Sequence, residues 1–143
     1  EILDRCRRSG AEIAYVTLHV GLGTFQPIHS DQVTEHRLHS ERYEIAPENR
    51  ARIQAAARRV AVGTTSVRAL ETGGAGGETD LFIYPGFEFR LTGAMLTNFH
   101  LPRTSLLLLV CALAGKDFVL SAYRHAVGQG YRFYSYGDCM LIV

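Results

Sequence analysis

The spacing of apolar and polar positions changes period several times along the chain. Ala14, Val16, Leu18 and Val20 alternate with Tyr15, Thr17 and His19, the two-residue repeat of a half-buried strand. Gly21 to Phe25 break that repeat. A second, more polar alternation runs from Thr34 to Ile45, with His39, Glu41, Tyr43 and Ile45 on one face and His36, Leu38, Ser40 and Arg42 on the other. Leu106 to Ala114 is apolar without interruption. A helix that is apolar all round has to be buried, and this run is far short of the roughly 20 residues needed to cross a bilayer. It therefore predicts a core helix, N-capped by Thr104 or Ser105, whose hydroxyls can accept from an orphan N–H. Ala94–Leu96 reads as a buried strand, and between strand and helix lies a polar corner of Thr97, Asn98, His100 and Arg103.

The remaining elements follow from the same patterns. Ile2, Leu3 and Cys6 share one face of a short helix that Ser9-Gly10 ends. Pro47 suits the first turn of a helix reaching about Arg59, with Glu48 and Arg58-Arg59 matching its dipole. Val60–Val62 predicts a short buried strand and Val67–Thr72 a helix. Gly73 to Gly77 has the composition of a flexible loop. Leu81–Ile83 and Phe87–Leu91 read as further strands. A helix beginning near Asp117 carries the stripe Val119, Ala122, Tyr123 and Ala126 and stops at Gly128 and Gly130, and Cys139–Val143 predicts a last apolar strand. Alternating strands and helices imply an α/β fold with a mostly parallel or mixed sheet covered by helices. No repeat or linker divides residues 1–143, which read as one portion of a single α/β domain.

Composition narrows the classes. Of 143 residues, 47% are hydrophobic, which excludes a disordered chain. The net charge of +1 argues against strong nonspecific nucleic-acid binding, which rests on phosphate neutralisation. Lys116 is the only lysine; arginine supplies the other positive charges and suits bidentate phosphate or carboxylate contacts. Cys6, Cys111 and Cys139 are odd in number and scattered, which speaks against a disulfide framework and suits a reducing cytoplasm. The chain opens at Glu1, directly in a helical pattern, and is expected to be a piece of a longer protein.

Candidate chemistry gathers at the junctions. Val62-Gly-Thr-Thr-Ser-Val-Arg68 is a strand–turn–helix whose Thr64, Thr65 and Ser66 place hydroxyls and N–H groups at a helix N-terminus, a natural anion site. An ordinary threonine cap is the competing reading. His19-Val-Gly-Leu-Gly-Thr-Phe25 puts a histidine at a strand end before Gly21 and Gly23, with Thr24 and Phe25 following. It lacks the third glycine of a dinucleotide loop. His36, His39 and Glu41 are of types suited to proton transfer. On a strand His36 would face away from His39, which weakens a joint metal site. Tyr84-Pro-Gly-Phe87 and Tyr134-Ser-Tyr-Gly-Asp138 offer rings for stacking on a base, or simply core aromatics.

His19–Phe25, His39-Ser-Glu41, Val62–Arg68, Ile83-Tyr-Pro-Gly86, Thr97-Asn-Phe-His-Leu-Pro102 and Tyr131–Asp138, in that order, resemble the C-terminal portion of the S-adenosylmethionine:tRNA ribosyltransferase-isomerase family of queuosine biosynthesis. Gln26, Leu38 and Cys139 are mild departures from its pattern. The resemblance implies a protein more than twice this length, with an inserted β-barrel domain absent from this chain. It implies transfer and isomerisation of the ribosyl part of S-adenosylmethionine onto 7-aminomethyl-7-deazaguanine at the tRNA wobble position, giving epoxyqueuosine and releasing adenine and methionine. The expected partners are that precursor-bearing tRNA and S-adenosylmethionine, the latter a consumed substrate rather than a cofactor. Neither a metal nor a membrane is implied, and the full-length protein is expected to be a cytoplasmic monomer. By chemical type the acid/base candidates are His100 and His39 first, with Glu41 as orienter, and His19. The expected substrate-binding residues are Gly21, Gly23, Thr24, Phe25, Thr64, Thr65, Ser66, Arg68, Tyr84, Pro85, Gly86, Thr97, Asn98, Phe99, Tyr136 and Asp138. The alternatives are a non-catalytic RNA-binding module and, less favoured, a metal-dependent hydrolase using the histidines.

Overall fold

The computed structural model describes residues 1–21, 28, 32–135 and 137–143. In chain order its elements are α1 (Ile2–Arg8), β1 (Thr17–Leu18), β2 (Glu41–Glu44), α2 (Pro47–Ala55), β3 (Val60–Val62), α3 (Thr64–Thr72), β4 (Gly76–Thr79), β5 (Ala94–Asn98), α4 (Ser105–Ala114), α5 (Lys116–Gly128) and β6 (Cys139–Ile142), with one 3-10 turn at Val33–Glu35. They build two three-stranded sheets, ordered β1-β2-β4 and β3-β5-β6. The first is antiparallel throughout. In the second, β3 runs parallel to β5 and β6 runs antiparallel to it. The expected α/β arrangement with mixed strands holds. Its mostly parallel form does not, because β3–β5 is the one parallel pairing among the described residues. A parallel neighbour needs a crossover, and here it runs from β3 through α3 and β4 to β5.

The uninterrupted apolar run becomes α4 as the pattern requires. Thr104 is the N-cap: its hydroxyl accepts from the Leu107 N–H at 3.3 Å and donates to the Leu101 carbonyl at 2.8 Å. Leu106 is buried, and Leu109, Val110 and Cys111 are buried in one core with Ala61, Val67, Met95, Val119 and Tyr123. Full burial of such side chains stabilises the fold by roughly 1.5–3 kcal/mol each for the larger aliphatics. A smaller core joins Tyr43, Ile45 and Ala69 beneath the first sheet. Helix α3 contacts strands of both sheets and so couples them.

Several expectations are corrected. The supposed flexible loop at Gly73–Gly77 supplies part of β4, with Tyr43 opposite Gly77 and Glu44 opposite Gly76. A Cβ on Gly76 would stand 3.0 Å from the Tyr43 carbonyl oxygen, so close approach of backbones explains that glycine. Leu81–Ile83 and Phe87–Leu91 are not strands. The second of these segments is held to α3 by Glu71, whose carboxylate accepts from the N–H groups of Arg90, Leu91 and Thr92 at 2.8, 3.1 and 2.7 Å. Strand β3 is not buried on both faces, since Val60 and Val62 are 51% and 62% exposed around buried Ala61. Strand β1 is shorter than the alternation suggested, and β2 begins only at Glu41. Helix α2 stops at Ala55, where Arg59 Nε donates to the Ile53 carbonyl at 2.6 Å. Helix α5 starts after Gly115, so Asp117 lies in its first turn rather than capping it. The apolar side of α1 has no buried residue.

Candidate functional site

The parallel pairing of β3 and β5 decides where the polar turns meet. Both strands end at the same edge, and the Gly63 N–H donates to the Leu96 carbonyl at 2.8 Å just where each chain leaves the sheet. The Thr64–Ser66 turn and the Thr97–His100 corner are thereby neighbours at strand carboxyl ends, the crevice where α/β sheets place ligands. Gly63 adopts φ +86°, which aims the chain into the first turn of α3 without a side-chain cap. Thr64 is buried, Thr65 half-buried, and the Ser66 hydroxyl donates back to the Val62 carbonyl at 2.8 Å.

In the corner, Thr97 Oγ1 and His100 Nε2 share a hydrogen bond of 2.8 Å, and Thr97 itself is buried. The His100 backbone N–H donates to the Tyr123 hydroxyl at 2.9 Å. Burial strips water from the His100 ring and lowers its pKa from 6.5 to about 4. The imidazole is therefore neutral at physiological pH, with one N–H and one lone-pair nitrogen. Asn98 Nδ2 donates to the Asp138 carbonyl at 3.2 Å, which draws the chain entering β6 to the corner. The Asp138 carboxylate turns instead to Arg132, accepting from its backbone N–H at 2.8 Å and its guanidinium at 3.0 Å; these bonds hold the carboxyl below its ordinary range. Phe99 is core rather than surface: its ring packs edge-on against Tyr123 and Tyr131 and tilted against Phe133.

A second group assembles around Glu41. Its side chain and that of Arg68 are both buried and form an ion pair. The other Glu41 oxygen accepts from the Gly21 N–H at 2.7 Å, and Arg68 Nε donates to the Leu81 carbonyl at 3.1 Å. The expected alternation in β2 is correct for Glu41, Tyr43 and Ile45, which are buried around exposed Arg42 and Glu44. It does not extend to His39, which is exposed on an irregular stretch before the strand. The geometry thus binds Glu41 to Arg68 and Gly21, and directs Arg68, an expected substrate-binding residue, inward to Glu41 and Leu81. His19 is exposed at the end of β1, its N–H donating to the Arg42 carbonyl at 2.8 Å. Gly23, Thr24, Phe25 and Tyr136 lie outside the described residues. The Ile28 N–H donates to the Arg103 carbonyl at 2.8 Å, beside the corner.

Tyr84, Pro85 and Gly86 are not part of the corner. With Glu71, Phe82, Phe87, Glu88 and Arg90 they line a pocket of about 580 Å3 beside the far end of α3. Among the described residues no group of three or more His, Cys, Asp or Glu side chains is placed to hold a metal. No single helix among them is long and apolar enough to cross a membrane. Tyr123 is the contributor missed from the residues: on the α5 stripe it reads as core, and the one hint is that a buried tyrosine hydroxyl needs a partner.

Residues 1–142 match the family described as queuosine biosynthesis protein. A protein of Solibacter usitatus (strain Ellin6076) named S-adenosylmethionine:tRNA ribosyltransferase-isomerase is 66% identical over 147 residues, covering 100% of this chain and 42% of its own. One of that name from Symbiobacterium thermophilum is 52% identical over 155 residues, covering 100% and 46%. The crystal structure of S-adenosylmethionine tRNA ribosyltransferase from Thermotoga maritima superposes with a TM-score of 0.80 at 44% identity, over 99% of this chain and 48% of that one. The chain thus spans less than half the length of each of these relatives.

Proposed function

Since the chain belongs to the queuosine biosynthesis protein family, we propose that it supplies the C-terminal half of an enzyme that transfers and isomerises the ribosyl moiety of S-adenosylmethionine onto 7-aminomethyl-7-deazaguanine at the tRNA wobble position. The match along the whole chain to the Solibacter usitatus relative of that name carries this reading. The products are epoxyqueuosine in tRNA, adenine and methionine, and S-adenosylmethionine is consumed as a substrate. The sulfonium acidifies the adjacent C5′ protons. His100, neutral at physiological pH and set at a strand carboxyl end, accepts one of them. The resulting ylide attacks the modified base. His39 and His19, both exposed, are available for the later protonation of the departing groups. The Thr64–Ser66 turn offers N–H and hydroxyl groups to the anionic part of a substrate. The full-length protein works as a monomer in the cytoplasm.

The test is a chimera in which these residues replace the corresponding half of the Thermotoga maritima relative. It is expected to release adenine from S-adenosylmethionine only when precursor-bearing tRNA is present, and to leave ribosyl radiolabel on that tRNA. The 143 residues alone are expected to be inactive. Tight tRNA binding by the chimera without adenine release would favour a non-catalytic RNA-binding module, and turnover by the isolated chain would contradict the division of the site between two halves.

A further inference from the structure

We infer that Tyr123 is a positioning residue for His100, acting from helix α5 on the backbone rather than on the imidazole. This deepens the reading of His100 as the proton acceptor and rests on it. Among the described residues, the ring of His100 is held by Thr97 Oγ1, at 2.8 Å on Nε2. That contact ties the ring to the end of β5, and the Phe99 carbonyl accepts from the Tyr134 N–H at 3.2 Å where the chain has left the strand. The Tyr123 hydroxyl adds a hold on His100 itself, from helix α5. It accepts from the His100 N–H at 2.9 Å, and it does so from a side chain that is only 9% exposed on a helix packed into the main core. Phe99, the residue before His100, packs edge-on against the same Tyr123 ring at 5.3 Å, and Phe133 meets that ring at 5.8 Å.

His100 is thereby tied by its ring to Thr97 and by its N–H to Tyr123, and Phe99 packs on the same Tyr123 ring, between the end of a strand and the middle of a helix. A loop carrying a reactive group has to be over-determined in this way, because a displacement of about 1 Å at the reacting atoms can cost roughly a hundredfold in rate. A tyrosine suits the position. Its ring fills core volume as phenylalanine would, while its oxygen meets an N–H that lies beyond the end of the sheet ladder.

The experiment compares Tyr123→Phe, Thr97→Val and His100→Ala in the same chimera. Tyr123→Phe keeps the ring and removes one oxygen. It is expected to lower kcat roughly tenfold or more while KM for S-adenosylmethionine stays within about twofold. The His100 ring titration, read by NMR on labelled histidine, should move from about 4 back toward the ordinary value as the corner loosens. Thr97→Val should shift that titration as well. Native kcat and an unchanged His100 titration in Tyr123→Phe, beside an inactive His100→Ala, would overturn this inference alone. Full activity in His100→Ala would overturn the catalytic reading and this inference with it. Should Tyr123→Phe fail to fold, amide exchange in the unaltered chimera decides: slow exchange at the His100 N–H supports the contact, and exchange as fast as at exposed amides overturns it.

Discussion

Replacing His100 with alanine in the chimera is expected to lower tRNA-dependent adenine release by about 10²- to 10⁴-fold, the range for loss of a positioned proton acceptor. The substitution should be tolerated structurally, because His100 is only half-buried and Thr97, its ring partner, sits at the end of the same strand. A companion effect concerns stability. Burial depresses its folded pKa to about 4, below the unfolded value of 6.5. Between those two values the unfolded chain binds a proton that the folded chain does not, so stability falls as pH drops from 6.5 to 4. The loss amounts to about 3 kcal/mol at most. The stability of the native protein should therefore fall relative to that of His100→Ala as pH drops through this window. Parallel pH dependences would mean that the ring is better hydrated than its surroundings indicate.

Arg68→Met is expected to be the most destabilising single substitution, by about 3–5 kcal/mol, because it leaves the Glu41 carboxylate charged inside the protein. The pair is buried on both sides, and each member holds a further piece of backbone: Gly21 through Glu41 and Leu81 through Arg68. Loss of the guanidinium thus loosens the link between β2 and α3 as well as stranding a charge. In thermal denaturation this should appear as a drop on the order of 10 °C for a chain of this size. The double substitution Glu41→Leu/Arg68→Met should cost less than the sum of the two singles, since neither charge is then stranded. Additive losses would show that the two side chains act independently, contrary to the observed ion pair.

The contrast between these two residues shows what local patterns convey. The place of the polar corner that carries His100 was legible because it stands between an apolar strand and an apolar helix, where polar groups are costly without a task. The Leu106–Ala114 helix, its Thr104 cap and the shared face of Glu41, Tyr43 and Ile45 were legible for similar reasons: each is a pattern that a single element imposes. The Glu41–Arg68 pair was not, because its members are 27 residues apart and each looks like a solvent-facing charge in its own element. Strand β4 was missed because Gly76 and Gly77 pair through backbone alone and give no side-chain alternation. Residues 87–91 do alternate, yet Glu71 uses the N–H groups at their end, so they form no ladder. His39 was grouped with Glu41 by starting the strand at Thr34, whereas it begins at Glu41. The Tyr123 hydroxyl was invisible for a different reason: its partner is a backbone N–H, which no sequence pattern marks.

The central claim is that substrate meets the corner at the carboxyl ends of β3 and β5. The most direct measurement is an NMR titration of the chimera, labelled in its histidine and tyrosine rings, with S-adenosylmethionine in the presence of precursor-bearing tRNA. The account predicts that the His100 ring resonances shift with saturation while those of Tyr84, in the separate pocket beside α3, move little. Saturable shifts at Tyr84 with His100 unmoved would contradict it.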